Sequence, residues 1–192
     1  MGKRLFDLVV ALGALVLLSP LLAAVALVVK LDSPGPVFFR QERVGRHGRS
    51  FRIHKFRTMH HRPGAADGLP LTVGADPRIT RSGAWLRRTR IDELPQLFNV
   101  LRGEMSLVGP RPERPYFVDQ LTQQIPFYAV RHSVKPGVTG WAQVRYAYGA
   151  TVEDSQQKLQ YDLYYVKNHT LFLDLLVLFE TVGVVLTGKG AR

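Results

Sequence analysis

From Leu8 to Val29 the chain carries no charged residue, and this run constrains the fold more than any other part of the 192 residues. It is about as long as the twenty or so apolar residues that a helix needs to cross a bilayer core. A signal peptide would have a shorter apolar region ending at a small-residue cleavage site, whereas this one runs on to Lys30. Few helices of soluble proteins are apolar all round. Near its middle stands Ser19-Pro20. Pro20 has no N–H, so the Val16 carbonyl loses its helical partner and a kink is expected; the Ser19 hydroxyl can satisfy a freed backbone group.

The flanking charges bear on topology. Lys3 and Arg4 precede the run; Lys30, Arg40, Arg43, Arg46, Arg49 and Arg52 follow it. Positive flanks favour the cytoplasmic side, and here both ends ask for it. A helix that bends at Ser19-Pro20 and returns to the same face satisfies both. Each half, at roughly 1.5 Å per residue, reaches about 18 Å, little more than one leaflet. The expectation is therefore a re-entrant membrane hairpin over 1–31, rather than a straight span, and a cytoplasmic domain over 32–192.

Beyond it, "PVFFRQERVG" and "SFRIHKFRTM" read as short strands joined by the Gly-rich "GRHGR" turn. Residues 60–83 read as a long surface loop, rich in Gly, Pro and Asp. "AWLRRTRIDELPQLFNVLRGE" has helical apolar spacing around a break near Arg90–Asp92. "MSLVGPRPERP" is an apolar stub ending in a proline-locked turn, "FVDQLTQQIPFYAVRHSV" a helix broken at Pro126, and "KPGVTGWAQVRYAYGA" a second Gly-rich loop. A helix follows with Thr151 as candidate N-cap, then the apolar "TLFLDLLVLFETVGVVL", either a core helix or one lying in the membrane interface. The fold class expected is α+β: a mainly helical domain with a short β-hairpin and amphipathic interfacial helices.

There is no cysteine, which excludes disulfides, thiol nucleophiles and cysteine zinc sites. His54, His60 and His61 lack metal-ligand spacing. The formal net charge of +11 asks for an anionic partner. No nucleic-acid motif accompanies it, so phosphorylated small molecules and phospholipid are the partners expected, not nucleic acid.

Asp92-Glu93 stands out against that charge. An Asp before a Pro is an ordinary helix start, and an acid there complements the helix dipole. Yet Arg87, Arg88 and Arg90 precede the pair, and "GPRP" at 109–112 holds Arg111 in a proline-fixed loop. An aspartate among phosphate-binding groups suits phosphoryl transfer, either as a nucleophile forming an acyl phosphate or as a magnesium ligand. Lys55 and Arg57, two apart in a strand, share one face and are candidate phosphate ligands, unless they merely guard an edge strand.

These blocks resemble one family. "KRLFDLVVALGALVLLSPLL", "GPVFFRQERVG", "FRIHKFRTM", "LRRTRIDELPQLFNVLRGEMSLVGPRP" and "KPGVTGWAQV" follow in the order and spacing of the bacterial sugar transferases, the monotopic phosphoglycosyltransferases, over essentially the whole chain. The resemblance implies transfer of a sugar phosphate from a nucleotide diphosphate sugar, usually a UDP-sugar, to polyprenyl phosphate at the cytoplasmic face of the bacterial inner membrane. That is the first membrane step of polysaccharide or glycoconjugate synthesis. It implies Asp92 as the nucleophile that releases UMP and carries the phosphosugar, Glu93 as its helper, and Mg2+ at Asp92 and Glu93. Ser19 and Pro20 match the family's helix break. Lys55, Arg57, Arg88 and Arg111 become phosphate-binding candidates, and Trp141, Gln143 and Arg145 nucleotide-binding candidates; a second copy of the chain is a candidate partner. Many members continue "GWAQV" with Asn-Gly-Arg, so Arg145 is offset from the family's arginine. The "QVRYAYGA…KLQYDLYYVKNH" ending is similar to the subgroup associated with exosortase and exopolysaccharide systems. Larger members carry further membrane helices at the N-terminus, so the chain is expected to be a short form or a catalytic core. The competing reading is a basic membrane-anchored binding or scaffold protein without catalysis.

Overall fold

The apolar run forms one helix, α1 (Gly2–Asp32), continuous through Pro20 in a computed structural model that describes residues 2–61, 76–146, 149 and 151–187. No interruption of the helix marks the bend expected at Ser19-Pro20. The break is bridged locally: Ser19 Oγ donates to the Val16 carbonyl at 2.8 Å, replacing the bond that Pro20 cannot make. Asp7, Ala11, Leu15, Val25 and Val29 are buried on one stripe of α1, while Leu5, Val9, Leu12, Val16, Leu17, Leu27 and Leu31 are exposed on the others. The apolar exposure is what a lipid-facing helix requires.

The stripe lies along the rest of the chain at both ends. Near the N-terminus Ala11 and Leu15 join a core with Ile53, Leu97, Val100, Met105, Leu107, Tyr165 and Val177; toward the C-terminus Val25 and Val29 pack on Phe56 and Leu86. Polar ties reinforce both ends. Lys3 Nζ donates to Asp174 Oδ2 (2.5 Å), and Arg4 donates to the Val100 and Leu101 carbonyls (2.6 and 2.9 Å). The buried Asp7 carboxylate accepts from the Ser106 hydroxyl and the Leu107 N–H.

The expected hairpin is β1 (Phe38–Val44) against β2 (Ser50–Phe56), antiparallel, with Phe38 opposite Phe56. The "GRHGR" turn takes left-handed backbone at His47 and Gly48. Of the loop expected over 60–83, residues 62–75 lie outside the described residues, and the helix begins earlier than its apolar spacing suggests. Thr80 caps α2 (Arg81–Thr89) by accepting from the Gly83 N–H. A Cβ at Gly83 would sit 2.1 Å from the Thr58 carbonyl oxygen, so only glycine lets α2 lie this close to the end of β2. The expected break follows at Arg90, with α3 (Gln96–Arg102) beyond it.

A stretch read as an apolar stub and one read as a Gly-rich loop are pairing partners. "SLV" forms β3 (Ser106–Val108) and "GVT" forms β4 (Gly137–Thr139), paired in parallel. Strands this short carry no alternation for sequence to reveal. Glycines permit the contact: a Cβ at Gly137 would meet the Gly109 nitrogen at 2.1 Å. Helices α4 (Pro115–Gln124), α5 (Trp141–Arg145), α6 (Val152–Asn168) and α7 (Leu171–Thr187) complete the chain. Thr151 and Asp154 form the capping box of α6. Helix α7 buries Leu173, Asp174 and Val177 and exposes Leu171, Phe172, Leu175 and Phe179, so it is apolar on its outer face as well as its packed one.

Candidate active site

Asp92 and Glu93 lie in a short 3-10 turn, Ile91–Glu93, between α2 and α3. The turn exists because Arg90 reverses the chain in left-handed backbone, φ 58°. A side chain held there costs roughly 1–2 kcal/mol, the kind of local strain that clusters at functional sites. Asp92 does not cap α3: the residue before that helix is Pro95, with no side-chain cap. The ordinary structural explanation for the pair is therefore removed.

Both carboxylates are buried, 8% exposed each, and their surroundings differ. Glu93 Oε1 accepts from Lys55 Nζ at 2.7 Å and from Arg111 Nη2 at 2.9 Å. Burial would raise its pKa, but the Arg111 and Lys55 charges outweigh that and hold it well below the usual carboxylate range. Asp92 is raised to about 6, first by burial and then by the Glu93 charge, against the pull of Lys55, Arg90 and Arg111. Its Oδ1 is buried and accepts no hydrogen bond among the described residues. One acid is thus a fixed anion that positions two cations; the other is an anion whose charge is underused. A buried acceptor of this kind normally has a partner.

Each side chain arrives from a different element. Lys55 projects from β2 and Arg111 from the loop after β3. That loop is fastened by Gly137 N–H to the Pro110 carbonyl (3.0 Å) and Gly109 N–H to the Thr139 carbonyl (3.0 Å). A further clamp comes from Arg131, fully inside the protein. Its guanidinium donates to Asp162 Oδ2 on α6 (3.0 Å), to the Tyr128 hydroxyl (3.0 Å) and to the Arg111 carbonyl (2.9 Å). On the other flank Arg43 donates to the Pro112 carbonyl at 3.0 Å.

The candidates from sequence divide. Asp92, Glu93, Lys55 and Arg111 converge. Arg57 requires a correction: it lies just past the end of β2, and its guanidinium donates to the carbonyls of Val29, Ser33 and Pro34 at the end of α1. These bonds fasten the end of α1 to the domain. Arg88 is exposed on α2, and it is Arg90 whose charge acts on Asp92. Trp141 stacks on Tyr164 of α6 (centroids 6.0 Å) and under the Arg145 guanidinium (4.4 Å), while Arg145 also pairs with Glu180 of α7. These contacts knit α5 to α6 and α7. Gln143 Oε1 is buried and unpartnered among the described residues. Sequence reading gives Arg43 and Arg131 no site role and places Arg90 only with Arg87 and Arg88 ahead of the pair; which arginine of a cluster reaches a distant carboxylate is not written in local sequence.

The donor set bears on magnesium. Mg2+ takes hard oxygen ligands, commonly one or two carboxylates with substrate phosphates and water. Asp92 Oδ1 has the chemistry of such a ligand, and Glu93 Oε2 has only a long contact to Arg111 Nη1, 3.4 Å. The residues fit a cation completed by phosphate oxygens. No cluster of three or more acidic or histidine ligands exists among the described residues that would hold one alone.

A sequence profile of the bacterial sugar transferase family matches residues 1–188. The chain is 51% identical over 190 residues to the UDP-N-acetylgalactosamine-undecaprenyl-phosphate N-acetylgalactosaminephosphotransferase of Aeromonas hydrophila, over 99% of this chain and 45% of that protein. It is 44% identical over 191 residues to the UDP-glucose:undecaprenyl-phosphate glucose-1-phosphate transferase of Escherichia coli, covering 98% and 41%. It is 45% identical over 197 residues to exopolysaccharide production protein PSS of Rhizobium leguminosarum bv. phaseoli, covering 98% and 97%. The chain thus spans less than half the length of the first two relatives and nearly all of the third.

Proposed function

The chain belongs to the bacterial sugar transferase family, and on that premise we propose that it moves a sugar phosphate from a UDP-sugar to undecaprenyl phosphate through a covalent intermediate on Asp92. The observation that carries this reading is the Asp92 carboxylate: buried, unpartnered at Oδ1, beside cations already fixed by Glu93.

The Asp92 carboxylate attacks the β-phosphorus. The bond from that phosphorus to the oxygen bridging the two phosphates breaks, and UMP leaves with that oxygen. The phosphosugar stays on Asp92 as an acyl phosphate. A phosphate oxygen of the lipid then attacks the same phosphorus, the Asp92–phosphorus bond breaks, and the free carboxylate returns with a lipid diphosphate sugar. Lys55 and Arg111 offset charge on the phosphoryl oxygens, already oriented and thus without reorganisation at the moment of reaction. Glu93 keeps them in place. Asp92 and Glu93 would hold Mg2+ together with the substrate phosphates, and the ion would supply further charge neutralisation there.

The same geometry supports a membrane placement. At roughly 1.5 Å per residue α1 is about 46 Å long, enough to cross a bilayer. Its two ends are nevertheless bound to one domain, through Lys3 and Arg4 at one and Arg57 at the other. A helix so tied supports a placement in which both ends stay on the cytoplasmic side and the exposed apolar surface of α1 enters the membrane.

The test is UMP release from a panel of UDP-sugars in lipid nanodiscs, with and without Mg2+. Wild type should release UMP and, without lipid acceptor, carry one phosphosugar on Asp92 by mass spectrometry. Asp92→Asn should do neither; full turnover by Asp92→Asn would sink the covalent reading. For topology, the absence of native cysteine makes single-cysteine labelling clean. Cysteines at positions 2 and 31 should both react from the cytoplasmic side, and reaction of only one rules out re-entry.

A further inference from the structure

A second basic cleft lies apart from the carboxylate pair, where the start of α1 meets β3 and the α6–α7 corner. It encloses a cavity of about 250 Å³ whose lining includes Arg4, Asp7, Arg46, Lys135, Tyr165 and His169. None of these belongs to the group converging on Asp92. Asp7 is the one acid among the lining residues, and both its oxygens are engaged by Ser106 and Leu107. Lys3, which also lines the cleft, is spent on Asp174.

The cations that remain are under-compensated. Lys135 makes no hydrogen bond or ion pair among the described residues. Its Nζ and Arg4 Nη2 lie 3.5 and 3.3 Å from a single point above Gly103, where a Cβ would stand if that residue had one. Gly103 takes left-handed backbone, φ 82°, and its lack of a side chain lets the two cations approach each other over it. Burial first, then the Arg4 and Arg46 charges, pull the Lys135 ammonium below its ordinary value, with Asp7 opposing. Like charges gathered around one point are costly without a counter-anion, and the cost becomes binding energy when one arrives.

Position indicates which anion. Gly2, next to the lining residue Lys3, lies against Leu171, two residues on from the lining residue His169, and Leu5, Leu171 and Phe172 are exposed. An anion held among these cations would therefore have apolar surface close by for lipid chains to cover.

We infer that the cleft of Arg4, Arg46 and Lys135 is a second anion site that takes the phosphate group of an anionic phospholipid, seating the domain on the bilayer at a fixed height. Phosphodiester lipid and free phosphate share the recognised chemistry, and the test separates them. The inference rests on the membrane reading of α1 and not on the transferase chemistry.

The experiment uses the full chain in nanodiscs of phosphatidylcholine alone or doped with phosphatidylglycerol. Native mass spectrometry reads retained lipid; thermal unfolding with and without inorganic phosphate reads stabilisation. Wild type should retain phosphatidylglycerol over phosphatidylcholine and unfold at higher temperature in the doped discs. Lys135→Gln and Arg46→Gln should each lower that preference roughly fivefold, the effect of removing about 1 kcal/mol per basic residue near an anionic surface. Both should keep wild-type UMP release in phosphatidylcholine discs, which also certifies folding. Equal retention of phosphatidylglycerol by wild type and the double variant overturns the site. Stabilisation by inorganic phosphate alone, with none from phosphatidylglycerol, overturns the lipid assignment. Loss of UMP release in every protein, wild type included, bears on the transferase reading and leaves the lipid readout intact.

Discussion

Removing Asp162 should damage both fold and activity, although it lies on α6, outside the carboxylate pair. It forms an ion pair with Arg131, with an N–O distance of 2.8 Å and side-chain exposures of 4% for Asp162 and 6% for Arg131. Truncating one partner of such a pair leaves the other charge buried and uncompensated, typically at 3–5 kcal/mol. For a chain of this size, at roughly 2–4 °C per kcal/mol, Asp162→Leu should lower the unfolding temperature by about 6–20 °C. Replacing both residues, Arg131→Met with Asp162→Leu, removes the stranded charge. What remains is the loss of the Tyr128 and Arg111 carbonyl bonds, at about 1 kcal/mol each. The double variant should therefore be more stable than Asp162→Leu alone. Activity should not recover with stability. The Arg111 carbonyl has lost its donor, and a small displacement of a phosphate-binding group can cost up to about a hundredfold. Scanning fluorimetry of the single and double variants in one detergent, beside UMP release below the unfolding range, measures both effects. The reasoning fails if the double variant is destabilised by the sum of the singles, or if it regains full turnover.

Other expectations follow from the site. Because Asp92 is raised to about 6, it is protonated and cannot attack at lower pH, so UMP release should fall as pH drops through that value; rising Mg2+ should move the acid limb lower. The sign for stability is opposite. A carboxyl raised from 3.8 keeps its proton better in the native state, so wild type should lose about 3 kcal/mol relative to Asp92→Asn between about pH 4 and 6 with metal chelated. A pH-independent difference would contradict this. Lys55→Met should slow UMP release by roughly a hundred- to a thousandfold, the usual cost of removing one pre-oriented donor, and should raise the Glu93 pKa, read by NMR of the labelled carboxyl. Arg57→Met should leave the KM for UDP-sugar unchanged while destabilising the protein by about 2–3 kcal/mol through the orphaned carbonyls of Val29, Ser33 and Pro34. A tenfold rise in KM with unaltered unfolding would restore Arg57 as a phosphate ligand.

Sequence alone determined what local chemistry decides. The uncharged run forces a helix with a lipid-compatible surface, because length and apolarity suffice for that. The β-hairpin, the break at Arg90, the capping box at Thr151 and the Ser19 bridge over Pro20 all follow from neighbours a few residues apart. The carboxylate pair was conspicuous because two acids among arginines need a reason, and the proline-held Arg111 supplied a partner. Only the tertiary structure decided the rest. It assigned Lys55 to Glu93 and Arg57 to the end of α1, two residues apart in sequence but spent on opposite tasks. It paired β3 with β4 across about thirty residues through glycines whose contacts no period announces. It separated Asp92 from Glu93, one left without a partner and one held by two cations. The physical reason is range: helix, turn and cap are set by groups adjacent along the chain, whereas a buried charge takes its character from whatever distant residues the fold places around it.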